Sequence, residues 1–350
     1  MDGPKHHHHN HRHLDGLRGV SKPTTERRHK PKLATVPLET PPRAPVQPSS
    51  TAVLRQYGFT TYSKWQLGCG HYSKVYKAIH KEKEVAIKVI QIDQVERIFR
   101  EKFLPRELNC WQVVRHPNIC ELFSSFEANN GKLLCMIMEY CSAGDLLSHI
   151  QRHGPLSRTR AQRWMRSLLD AVHYLHKRKI AHRDIKAENV LISASNKVKL
   201  SDFGFACTMN TVQRSTTYCG SRAYSSPQIL SAQPYDIYKN DVWSLGALCF
   251  VVLTNTMPFR EDGQNNSQII AQQARRGYSW PQNIAYDVVR SVDSMMTYDE
   301  GARPTARECK KLPFFKEYAH DEPSTTAMAF GGGNAYYNGA YDSYGVGVVS

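Results

Sequence analysis

Long apolar runs are missing from this chain. Across 350 residues, no stretch approaches the ~20 consecutive apolar residues that a membrane span requires, so a membrane-embedded protein is not expected. The N-terminus carries Lys5 and His6 to His9 where a secretory leader would carry an apolar segment. Paired cysteine spacing is missing too. The nine cysteines are scattered without a Cys-x-x-Cys pair, which speaks against a disulfide framework and for free thiols in a reducing cytosol or nucleus. Residues 319–350 contain no lysine or arginine; Gly331, Gly332 and Gly333 precede Tyr336, Tyr337, Tyr341 and Tyr344 among small residues. That is low-complexity sequence, and it holds no basic amphipathic stretch of the kind that binds calmodulin.

Residues 1–56 are rich in Pro, His, Lys and Arg and have no apolar periodicity, so an unstructured basic tail is expected there. Its histidines, including His11 and His13, read as a solvated cluster, with metal binding as the alternative. The formal net charge of +15 invites a nucleic-acid partner. No nucleic-acid motif accompanies it, and the charge is spread through tail and centre alike, so such binding is not expected. The 41% hydrophobic content, placed mostly between the tails, is enough for a sizeable core.

The central part carries chemistry at fixed spacing. In His182-Arg183-Asp184-Ile185-Lys186-Ala187-Glu188-Asn189, Asp184 can accept the proton of an attacking hydroxyl, and Asn189 can turn back to hold a magnesium ion at the same phosphoryl group. Asp202-Phe203-Gly204 follows and offers the main metal carboxylate. Upstream, Leu67-Gly68-Cys69-Gly70-His71-Tyr72-Ser73-Lys74-Val75 has two glycines that let a backbone approach phosphates without a Cβ in the way. Val85-Ala86-Ile87-Lys88 is an apolar strand ending in a lysine, and a lysine buried there needs a partner. Met136-Ile137-Met138-Glu139-Tyr140-Cys141 reads as a buried strand.

These motifs, in this order, resemble the protein kinase superfamily. Phe103-Leu104-Pro105-Arg106-Glu107-Leu108, Gly144-Asp145-Leu146-Leu147, Lys199 to Phe205 and Thr217 to Tyr224 are similar to the testis-specific serine/threonine kinases, in the calmodulin-dependent-kinase-like group. The resemblance covers residues 59–318 and implies an α+β bilobal fold: a small, mainly β N-lobe with helix C, and a larger, mainly helical C-lobe. It implies ATP and Mg2+ as cofactors and proteins with Ser/Thr acceptors as partners, with an upstream kinase as a further partner. Lys88 would hold ATP phosphates and Glu107 would hold Lys88. Leu67, Gly68, Cys69, Gly70, Val75, Ala86 and Met138, with the backbones of Glu139 and Cys141, would surround the nucleotide. Asp184 would be the base, Lys186 the phosphate clamp, and Asn189 and Asp202 the metal ligands.

The resemblance reaches further. Ser221 would contact Asp184 and Lys186 from the substrate side. Asp145 and Glu188 align with carboxylates that read an arginine three residues before the acceptor, and Asp145 could equally bond the ATP ribose. Phe205 implies serine over threonine as acceptor. Arg183 implies a phosphate on the activation segment, at Thr217 or at its neighbours Thr216 and Ser215. Cys207 stands where some relatives have a further basic residue. Asp241 would hold the catalytic-loop backbone. Two departures stand out: Ser73 replaces a third glycine, and Gln228 replaces the glutamate that in relatives pairs with the arginine matched by Arg303.

Overall fold

Val85 to Ile90 is apolar except at Lys88, and such a run suits a strand covered on both faces. In the computed structural model, which describes residues 49–70, 72–208 and 214–316, this run is the centre of an antiparallel sheet. The chain enters through α1 (Ser50–Gln56), then β1 (Gln66–Cys69), β2 (Ser73–His80) and β3 (Lys83–Gln91). A five-residue π-helical stretch, Phe99–Phe103, runs directly into α2 (Leu104–Gln112), and β4 (Leu122–Ala128) and β5 (Leu133–Glu139) complete the sheet in the order β1-β2-β3-β5-β4.

The larger lobe starts with α3 (Leu146–His153) and α4 (Arg158–Lys177). Short strands follow: β6 (Ile180–Ala181) pairs with β9 (Cys207–Thr208), and β7 (Val190–Ile192) pairs with β8 (Val198–Leu200). They position the loops that face the sheet. Then come α5 (Pro227–Leu230), α6 (Ile237–Thr254), α7 (Asn266–Ala274), α8 (Tyr286–Met295), α9 (Ala306–Cys309) and α10 (Pro313–Lys316). The α6 helix is apolar nearly all round, as a helix buried on every side should be. Asp236 caps its start by accepting from Tyr238 N and Lys239 N, and Asn255 ends it in the left-handed region at φ 55°. One apolar cluster runs from Ala86 and Met136 in the sheet through Trp111 and Phe203 to Leu168, Val172 and Leu248, so the lobes share a core across the cleft.

The expectation of an unstructured chain through residue 56 fails for its last turns. Ser49 caps α1 through Ala52 N, and Val53 and Leu54 are buried at 2% and 0% exposure against Phe59, Tyr76, Ile87 and Cys135. The helix covers the outer face of the sheet, which would otherwise expose its apolar side chains. The rest of the expected N-terminal tail and the expected tail from 319 onward lie outside the described residues. No helix among the described residues is long and apolar enough to cross a membrane.

Candidate active site

The cleft is assembled from β3, α2, the β6–β7 loop and the loop after β8. Lys88 leaves the middle of β3, where its strand neighbours anchor it, and its Nζ donates to Glu107 Oε1 at 2.9 Å and Asp202 Oδ1 at 3.0 Å. Burial alone would lower the Lys88 pKa, yet Asp202 and Glu107 together raise it above the ordinary lysine value. Burial also works to raise Asp202, but Lys88 wins and holds that carboxyl down to about 2. Glu107 is fully buried and burial pushes it up, with its Oε2 unpartnered among the described residues. Lys88 thus lies between two carboxylates and bonds both, which opposes the cost of its own burial.

Phe203 is fully buried, its ring centre 5.3 Å from that of the stacked Trp111 ring of α2 and 5.0 Å from that of the His182 ring, which it meets edge to face. These contacts fix the turn that presents Asp202, whose φ of 58° is uncommon for a residue with a Cβ. Arg183 has the same kind of backbone, at φ 65°. Asp241, buried in α6, accepts from His182 N at 2.9 Å and Arg183 N at 2.8 Å, and so holds the loop in that conformation. His176 Nε2 donates to the same carboxylate at 2.9 Å. Nothing in the sequence reading singled out His176; its only signal is its place in the last turn of α4.

Around Asp184 the contacts are dense. Asn189 Nδ2 donates to its carbonyl at 2.8 Å and its Oδ2 at 2.9 Å. Ser221 N and Oγ both donate to Oδ1 at 2.9 Å, and Lys186 Nζ reaches Ser221 Oγ at 2.7 Å and Asp184 Oδ2 at 3.2 Å. Gly220 makes this approach possible. Its φ is +91°, and a Cβ there would lie 2.4 Å from the Arg183 carbonyl oxygen. Catalytic loop and activation segment are therefore locked at Asp184, with a hydroxyl, an ammonium and a carboxylate in one place.

The nucleotide side is more open. Gly68 and Cys69 pair with Val75 and Lys74, and Gly70 N donates to Ser73 O at 2.8 Å, closing the β1–β2 turn; His71 lies outside the described residues. Leu67 and Cys69 are exposed, while Ala86 is buried beside Met138 in the adjacent strand. The Glu139 N–H is already given to Glu121 O at 2.9 Å, so its main-chain contact for an adenine edge would be the carbonyl, which also accepts from Cys120 Sγ at 3.5 Å. The Cys141 carbonyl accepts from Gly144 N at 3.3 Å, leaving its N–H for the same purpose.

Asp145 has a task the sequence reading did not assign. Its two oxygens accept from Ser148 N at 2.8 Å and Ser148 Oγ at 2.7 Å, capping α3. A carboxylate has lone pairs left after two such bonds. Glu188 lies close enough to Asp145 and Asp184 to feel both, but burial is the main reason its pKa is raised; its Oε2 is buried without a partner among the described residues. Arg183 Nε donates to Phe205 O at 2.7 Å, and its Nη2 is likewise unpartnered. Thr217 is half-buried, and its carbonyl accepts from Tyr235 OH at 3.0 Å. Phe205 is buried, edge-on to Phe103 at 5.9 Å, beside Cys219.

Gln228 and Arg303 do meet. Arg303 is fully buried and donates to Gln228 Oε1 at 3.0 Å, Thr297 O at 3.0 Å and Lys239 O at 3.1 Å. Burial pulls its pKa down to about 10, against the pull of Glu300, Asp236 and Asp299.

The protein kinase domain model matches residues 62–315. Human testis-specific serine/threonine-protein kinase 3 is 36% identical over 254 residues, which cover 71% of this chain and 93% of that protein. The mouse protein of the same name is 37% identical over 222 residues, covering 62% of this chain and 81% of that one. The matched span takes in the sheet, the cleft and the helical lobe alike, and the chain belongs to the protein kinase family as an ATP-binding protein serine/threonine kinase similar to the testis-specific ones.

Proposed function

We propose that this kinase transfers the γ-phosphoryl group of ATP to serine in preference to threonine, in protein segments with an arginine three residues before the acceptor, and that phosphate on Thr217 raises its activity. Asp184 would accept the hydroxyl proton while Lys186, already 2.7 Å from Ser221 Oγ, steadies the phosphate being transferred. Lys88, fixed by Glu107, would hold the nucleotide's phosphates. The Asp202 carboxylate and the Asn189 amide oxygen are hard oxygen donors that suit Mg2+, which when bound would neutralise charge on those phosphates.

The observation that carries the arginine preference is Glu188. A carboxylate oxygen buried without a donor is costly, and a guanidinium satisfies it by a charge-assisted bond. Asp145 adds negative charge on the same side. The Phe205 ring is turned into the Phe103 and Cys219 cluster, so its effect on the acceptor would act through packing of the segment. The buried Arg183 Nη2 supports the Thr217 reading in the same way: a phosphate of roughly −2 charge would give it an acceptor. An upstream kinase or the enzyme itself would place that phosphate. The nine free cysteines, eight of them buried, support residence in the cytosol or nucleus.

A positional peptide library tests the specificity. Arginine should be enriched three residues before the acceptor, serine should exceed threonine, and Glu188→Gln should blunt the arginine preference. Selection of acidic residues at that position sinks the reading. For activation, Thr217→Ala should lower turnover well below wild type with ATP binding retained. Unchanged rates after both Thr217→Ala and phosphatase treatment would rule this switch out.

A further inference from the structure

Beside α4 lies a cleft that none of the catalytic residues lines. It is a cavity of about 380 Å³ between the loop after α2 and the last turns of α4, lined by His116, Asp170, Tyr174, Lys177, Arg178 and Lys310 among others. Its wall is firm. Tyr174 accepts from Arg115 N at 2.8 Å, the His116 ring lies 5.0 Å from the Tyr174 ring, and the Arg178 guanidinium stacks 3.7 Å over that ring's centre. Its charge is one-sided. Lys310 pairs with Asp170, but no described carboxylate pairs with Lys177 or Arg178, both exposed. The field shows at His173, whose pKa is lowered first by burial and then by Lys310, Lys177, His176 and Arg307.

The described fold ends on α4, within reach of this cleft. Gln162 Nε2 donates to Phe314 O at 2.7 Å, and Arg166 Nη1 donates to Lys310 O at 2.9 Å and to Phe315 O, so α10 is tied to the middle of α4. Arg166, Asp170, His173 and Lys177 follow one another at helical spacing on one face of α4. From Arg166 to Lys177 is about 16 Å along the axis, at 1.5 Å per residue. The next six residues, Glu317-Tyr318-Ala319-His320-Asp321-Glu322, can reach about 20 Å when extended. They carry three carboxylates, and no lysine or arginine occurs from 317 to 350.

We propose that residues 317–322 dock in this cleft in cis, with the carboxylates of Glu317, Asp321 and Glu322 meeting Lys177, Arg178 and Lys310. The chain would then run as an acidic strap along α4. Charge complementarity and reach select this occupant over a separate acidic partner, because the segment is tethered to α4 beside the cleft and a linked ligand has a high effective concentration.

Zero-length carbodiimide coupling of the full-length wild-type chain, followed by peptide mapping, tests this without a destabilising variant. The Lys310–Asp170 pair is the internal reference. Coupling of Glu317, Asp321 or Glu322 to Lys177 or Lys310 within one chain is expected. Its yield should fall several-fold between 50 mM and 500 mM salt, because exposed pairs are screened, and it should vanish in the full-length chain bearing Glu317→Gln, Asp321→Asn and Glu322→Gln. The proposal is overturned if the reference couples while the tail carboxylates reach neither lysine. It is equally overturned if mixed isotope-labelled chains show the coupling only between copies.

Discussion

Gln228→Glu is the substitution whose consequence the structure predicts most specifically. Arg303 is buried and its strongest acceptors are three neutral oxygens: the Gln228 side chain and the carbonyls of Thr297 and Lys239. A glutamate would turn one neutral-acceptor bond into a charged pair. The present bond already has one charged partner; making the acceptor a carboxylate adds an opposite charge, which should add roughly 1–2 kcal/mol. The gain is opposed. Gln228 Nε2 now donates to Tyr298 O at 2.9 Å, and a carboxylate would lose that bond, worth about 1 kcal/mol, and set an oxygen against the carbonyl. The net change in stability should therefore be within about 1 kcal/mol, while the coupling to Arg303 should be about 1–2 kcal/mol and favourable. The assay is a double-mutant cycle by denaturant melts of wild type, Gln228→Glu, Arg303→Met and the pair. Arg303→Met alone should cost about 3–5 kcal/mol, since the buried carbonyls lose their donor. A coupling below about 0.3 kcal/mol, within the noise of additivity, would refute the reasoning.

Leu54→Ala should cost about 2–5 kcal/mol and lower the melting temperature by roughly 5–15 °C, because the side chain is fully buried under the sheet although it precedes the matched kinase span; an unchanged melt would show that α1 does not cover that face. Gly220→Ala places a Cβ 2.4 Å from the Arg183 carbonyl oxygen and should cut phosphate transfer about a hundredfold or more by moving Ser221 off Asp184, on the scale of one lost catalytic contact, with ATP binding retained. His149, packed against Trp164, is lowered to about 4, first by burial and then by His153, Arg160 and Arg152. With an unfolded value near ~6.5, the unfolded chain binds more protons between those values, so stability should fall as pH drops from about 6.5 to 4. Partial exposure limits the effect to about 1–2 kcal/mol, and His149→Phe should flatten that part of the profile measured by melts.

What was legible in the sequence was the chemistry that demands particular side chains at set intervals. Proton acceptance and metal binding need carboxylates and an amide within one short loop, so Asp184, Asn189 and Asp202 could be picked out and the two-lobed fold inferred with them. Tertiary packing was less legible. Nothing local marks Ser50–Gln56 as a helix: two buried apolar residues in a Pro-rich and basic stretch carry no period, and only the sheet they cover holds them. Asp145 was visible as a carboxylate, but its cap on Ser148 depends on where α3 begins. The carbonyls that hold Arg303 belong to the backbone, which any residue offers, and so they leave no trace in the side-chain pattern.

The most direct test of the central claim is transfer of labelled γ-phosphate to a serine peptide, comparing the full-length wild type with Asp184→Asn. The account predicts turnover by wild type and a loss of about 10²–10⁴-fold in the variant, the usual contribution of a positioned base, with ATP still stabilising both proteins in a thermal melt. ATP binding by wild type without turnover would leave a nucleotide-binding scaffold instead, and equal rates for the two proteins would remove Asp184 from the chemistry.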